Sequence, residues 1–136
     1  MVNLDSKIES LQNAIDSLNY WDARVANFEC HYLGDEVVLY IRLDDEIAQV
    51  CFKRCYKVEY VTALDVEDAL KGKEIKALSH FVRDVQEITV KESSLHSSLL
   101  DVYLNFTPIE VNIVCRDITI IKRPFAEYHF FWQDNQ

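Results

Sequence analysis

Glycine and proline are almost missing, with two of each in 136 residues. Gly34 and Gly72 stand alone, so no glycine-rich loop is present to cradle a phosphate. A chain this poor in both residues is built of regular elements joined by short turns, with no flexible linker. Basic residues are also in deficit: 14 Lys and Arg stand against 23 Asp and Glu, a formal charge of -9. The cations are dispersed among acids, with Lys53, Arg54 and Lys57 the densest group. Binding to a phosphate backbone or an anionic membrane needs a concentrated basic patch, so neither nucleic acid nor membrane is an expected partner. Long apolar runs are lacking too, none approaching the roughly 18 residues of a membrane span. Met1–Ser10 has neither the basic nor the apolar region of a signal peptide. The expectation is a cytoplasmic protein whose four cysteines, Cys30, Cys51, Cys55 and Cys115, remain free thiols in a reducing compartment.

What is present suits a globular fold. The chain is 49% hydrophobic and 12% aromatic, and its length is that of one domain, expected over 1–136. Folding at this size buries roughly 70% of the unfolded surface, enough for a core without metal or disulfide.

Leu4, Ile8, Leu11, Ile15 and Leu18 recur at steps of four and three, which predicts an amphipathic helix over 4–18. Ser6 and Glu9 have capping-box spacing. From Ala23 the period becomes two. Phe28, Cys30 and Tyr32 alternate with polar residues, a turn follows at 33–36, and Val37, Leu39, Ile41 and Leu43 share the next face. Asp44-Asp45-Glu46 is a second turn, Ile47–Lys53 a third strand, and Lys57–Val61 its continuation or a fourth. Residues 62–82 return to helical spacing, broken at Gly72. Gln86–Lys91 fits a short strand. Leu100–Phe106 and Ile109–Cys115 alternate around a Thr107-Pro108 turn, Ile118–Ile121 extends the pattern, and Pro124 closes it. The fold class expected is α+β: an N-terminal helix, a largely antiparallel sheet (a meander, in one or two layers) and a helical segment in mid-chain.

Chemistry-bearing residues do not converge. Cys51 and Cys55, with three residues between them, lie in a strand-like region, and Cys30-His31 are adjacent, so neither pair sits on the tight turn that holds zinc ligands. Cys30 and Cys115 sit on apolar strand faces and read as small core residues. His31, His80, His96 and His129 fall in four different elements, with no nucleophile elbow near any cysteine. Neither acidic cluster, Asp44–Glu46 or Asp65–Asp68, has the alternating ligands and closing Glu of a calcium loop. No catalytic residue, metal site or cofactor is therefore expected. Two binding surfaces stand out. Asp35, Glu36, Asp44, Asp45 and Glu46 lie at hairpin tips and would meet a basic protein partner. Tyr128, Phe130, Phe131 and Trp132 either cover the core or anchor an interface, a homodimer included.

Trp21-Asp22-Ala23-Arg24-Val25, Val50–Val58 with Phe52, Cys55 and Val58, Ser98–Leu104 and Ile113–Ile118 together resemble a loose group of small bacterial proteins. Some of these are identified as immunity-like proteins beside secreted toxins. The resemblance spans residues 20–121 and departs at Trp21-Asp22, where the usual His is absent. It implies no catalytic residues. It implies a non-enzymatic binding protein, an immunity-type inhibitor of a toxin. A homo-oligomeric scaffold using the aromatic C-terminus ranks second, and an enzyme without a recognisable motif third.

Overall fold

The computed structural model describes residues 4–62 and 83–133. The helix expected over 62–82 lies, but for Thr62, outside the described residues. The chain is α+β: helix α1 (Leu4–Asp16), then strands β1 (Arg24–His31), β2 (Glu36–Leu43), β3 (Glu46–Val61), β4 (Glu87–Glu92), β5 (Leu100–Phe106) and β6 (Ile109–Pro124). They form one open sheet in the order β1-β2-β3-β6-β5-β4, and every neighbouring pair is antiparallel. Among the described residues no helix is long and apolar enough to cross a membrane.

Helix α1 forms where the apolar stripe predicts. Ile15 and Leu18 are buried in the core, with Ile8 and Leu11 packed against it. Ser6 is not the cap, because the helix already includes Leu4. Asn19 follows the last turn at φ 54, the left-handed conformation that Asn tolerates after a helix.

The spine of the sheet is the long β3–β6 ribbon. Residues 47–53 and 57–61 belong to one strand, as do 109–115 and 118–121. The bulge is in β3 alone: Cys55 pairs with Cys115 and Lys57 with Val114, so Tyr56 is the extra residue. Arg54, two residues before it, stands at φ 53. Such a bulge bends and twists the ribbon while keeping the apolar side chains inward. The bend folds the sheet over its own core. Phe28 of β1 thereby meets Phe106 of β5 at 5.8 Å between ring centroids, although four pairings separate those strands. Residues 83–86 clasp the two halves: the Val25 N–H donates to the Arg83 carbonyl at 2.8 Å and the Gln86 N–H to that of Asn105 at 2.8 Å.

Cys30 is not a core residue as its alternation suggests. It is exposed, as is Tyr32, near the end of edge strand β1. Cys115, on the central strand, is fully buried.

Candidate protein-binding surface

Strand β2 separates the two acidic tips. Asp35 and Glu36 lie at its start and Asp44, Asp45 and Glu46 just past its end, about 25 Å apart at roughly 3.3 Å per residue. The tips project from opposite ends of the sheet, so the five carboxylates are not one surface.

At the second tip, Asp44 adopts φ 45 in the tight turn, and the Phe125 N–H donates to the Asp45 carbonyl at 2.6 Å. All three acids are exposed. Beside them Asp22, Arg24, Arg42, Asp44 and Asp84 line a shallow open hollow of about 490 Å³. Arg24 pairs with Asp84 at 3.6 Å, and the Arg42 guanidinium lies 4.2 Å from the centre of the Phe125 ring. Cations and carboxylates here offset one another.

The first tip is different. Its loop is a 3-10 turn over Tyr32–Gly34, closed by the Asp35 N–H on the Tyr32 carbonyl at 3.3 Å. The Asp35 carbonyl accepts the Cys55 N–H at 2.9 Å, which ties the loop to the bulge in β3. Tyr32 is 77% exposed, Leu33 108% and Tyr56, the bulged residue of β3, 70%. Nearby cations are engaged elsewhere: Arg54 with Asp117 at 3.1 Å and Lys57 with Glu59 at 2.7 Å. Glu36 stands opposite Lys53 in the β2–β3 register. Sequence reasoning selected Asp35 and Glu36 but missed Tyr32, Leu33 and Tyr56. The available signal was a Tyr-Leu pair placed directly before Gly-Asp in a turn that favours small polar residues.

The C-terminal aromatics divide by parity. Phe130 and Trp132 are buried with Ala26 and Ile47 on the second face of the sheet, and Tyr40, Phe125 and Tyr128 pack against them. Tyr128, Phe130 and Trp132 stack in succession, at 5.4 and 5.7 Å between centroids. The Trp132 Nε1–H donates to the Ala26 carbonyl at 2.7 Å, and the Tyr128 hydroxyl bonds to Gln49 Oε1. Phe131, on the opposite side, is 48% exposed.

No nucleophile is prepared among the thiols that face the core. Burial pushes the Cys115 thiol up to about 12 and the Cys55 thiol up to about 11, which keeps both protonated at neutral pH, whereas reaction needs the thiolate. His31 lies 3.6 Å from Glu29, and His96 Nδ1 accepts the Ser98 N–H at 3.0 Å. Among the described residues no three His, Cys, Asp or Glu come together in a way that could hold a metal ion. A hollow of about 590 Å³ opens over the outer face of β3 to β6 and is lined by dispersed polar residues including Glu59, Lys91, Asp101 and Tyr103.

The model of one protein family, described as Immunity protein PIM7, matches residues 7–122. The crystal structure of an uncharacterized protein from Neisseria gonorrhoeae superposes with a TM-score of 0.50, over 78% of this chain and 94% of that one, at 13% identity. Identity this low speaks to the fold alone. No curated protein matches the chain.

Proposed function

This chain belongs to the Immunity protein PIM7 family, and on that premise we propose that it is a non-enzymatic inhibitor that binds a bacterial toxin as one protein to another. The observation that carries the reading is the extent of the match, which runs from the first turns of α1 almost to the end of β6. The matched residues thus span nearly all of the sheet. The dispersal of polar groups supports a binding role, because catalysis needs them convergent.

The partner is expected to be basic. A net charge of -9 attracts a cationic protein over distances near the Debye length, and such steering raises association rates more than final affinity. The inhibitor acts in the cytoplasm, as a single domain, through a hairpin tip that carries Asp35 and Glu36 or Asp44, Asp45 and Glu46.

The test is a competition. A strain deleted for this gene is co-cultured with its parent, which still makes the toxin. The deletion strain is expected to be depleted and to be rescued by a plasmid expressing the chain. Equal survival of deletion strain and parent, under conditions where the parent kills unrelated competitors, defeats the reading.

A further inference from the structure

Six described non-glycine residues have positive φ: Asn19, Asp22, Tyr32, Leu33, Asp44 and Arg54. Asn and Asp tolerate this conformation, and Arg54 lies two residues before the bulge that bends the β3–β6 ribbon. Tyr32 and Leu33 have neither excuse. They stand at φ 55 and φ 60, consecutively, followed by Gly34 at φ 98, where tight hairpins take Asn, Asp or Gly. Bulky side chains held this way are strained, and strain persists only where the surroundings impose it. Here the Cys55–Asp35 backbone bond and the closed turn do so. Leu33 also leaves its whole side chain in water, and Tyr32 most of its own. Neither belongs to a core cluster. Two unfavourable features coincide at one loop, and the tilted contact of the Tyr32 ring with His31, 6.0 Å between centroids, leaves Tyr32 mostly exposed.

Resting on the inhibitor reading above, we propose that Tyr32, Leu33 and Tyr56 are the anchor of the toxin contact, and that the Asp35–Glu36 end, not the Asp44–Glu46 end, meets the partner. The partner face this fits has an apolar pocket for Leu33, a flat apolar surface for the two tyrosines, and a basic group at its rim. The basic rim follows from charge: Arg54 and Lys57 are bonded to Asp117 and Glu59, which leaves the exposed Asp35 carboxylate to face outward. The area is sufficient for a core. Side chains of this kind present roughly 150–200 Å² each, on the order of 500 Å² for three, against about 800 Å² a side for a standard interface whose rim is polar. A loop fixed in advance loses little entropy on binding, which is what a strained but rigid anchor provides.

The experiment returns variants to the deletion strain and repeats the co-culture with the parent. Tyr32→Asn with Leu33→Gly removes the anchor and places tolerant residues at both positive-φ positions. Leu33→Asp adds a charge to the pocket-filling residue. Both are expected to leave the Tm of the purified chain at or above that of the wild type and to lower survival of the rescued strain on the order of tenfold or more, the size of one lost anchor. Full survival with either variant overturns the assignment of the surface while the inhibitor reading stands. A lowered Tm for the double variant overturns it by giving the loop a structural role. Sedimentation showing a wild-type dimer that Leu33→Asp dissociates overturns it in favour of a second copy as the occupant. Failure of the wild-type chain to rescue removes the inhibitor reading and the anchor with it.

Discussion

Gln12 accepts the backbone N–H of Val90 through its Oε1 at 2.8 Å. The same carboxamide donates through Nε2 to the Ile88 carbonyl at 2.8 Å, so one helical side chain occupies an edge position of strand β4. The Tyr20 hydroxyl, buried, accepts the Ile88 N–H at 3.0 Å. An uncovered edge is a template for pairing with another chain. Here α1 and Tyr20, in the connection that follows it, close that edge with side chains.

Replacing Gln12 therefore tests more than helix propensity. Gln12→Leu leaves a donor and an acceptor of β4 without their partner, and such groups cost about 1–3 kcal/mol when burial keeps water away. The expected outcome is a urea midpoint lowered by that amount and a rise in light scattering as the edge opens. Gln12→Ala, which lets water in, loses less.

The C-terminal segment is predicted to stabilise the chain from the second face. Trp132 is 2% exposed and its indole N–H is bonded to Ala26. Trp132→Ala is expected to cost about 3–5 kcal/mol, as large aromatic truncations in cores do. Ending the chain at Pro124 uncovers Ala26 and Ile47 and is expected to lower Tm at least as far. Thermal unfolding of the two variants checks this, and an unchanged Tm would show that the aromatic ladder is not part of the folded core.

Much of this was legible in the amino-acid sequence, for a local reason. Alternation and the three-four stripe depend on which side of an element faces apolar surroundings, and that is written residue by residue. Even the bulge is written: Cys55 to Val58 is a step of three inside runs of two, opposite the step of two from Cys115 to Ile113. Pairing order is not local. Nothing in β3 specifies β6 as its neighbour over β4, and periodicity gives the facing of a residue but not its cover. Cys30 shows this, having the parity of a core residue at a place where the sheet ends. Nothing local marks Gln12, a polar residue off the apolar stripe of α1, because its partner lies 78 residues away. Tyr32 and Leu33 do not stand out locally, because Tyr32 continues the alternation of β1 and Leu33 opens the turn at 33–36.

The thiols predict a dependence on alkaline pH. Cys115 titrates near 12 and Cys55 near 11 in the folded chain, above the ordinary value of 9.0, with burial the main cause in both. Above about pH 9 the unfolded chain releases protons that the folded chain retains, so stability is complete below that pH and declines as pH rises toward 12. Burial also raises Tyr20 and Tyr40, which add to the decline. Urea midpoints at pH 8 and 10.5 are expected to fall, and Cys115→Ala to lower both while narrowing the gap between them. A midpoint independent of pH over this range would contradict the protonated, buried thiol.

The two acidic tips give a prediction that separates steering from anchoring. They lie at opposite ends of β2, and the second face of the sheet between them is covered around Tyr40 by Phe130 and Tyr128. One contact of standard size therefore engages one tip. Asp44→Asn with Asp45→Asn and Glu46→Gln changes the formal charge from -9 to -6 (three carboxylates removed from the total). Asp35→Asn with Glu36→Gln changes it only to -7 by the same count. If long-range attraction alone mattered, the triple variant would protect less. With the anchor at Tyr32 and Leu33, the double variant is expected to protect less, because a rim charge within contact distance acts beyond the screening that weakens remote charges. Co-culture survival with the two variants, read at low and high salt, decides between them. The triple variant's deficit should vanish as salt rises, while part of the double variant's deficit should remain.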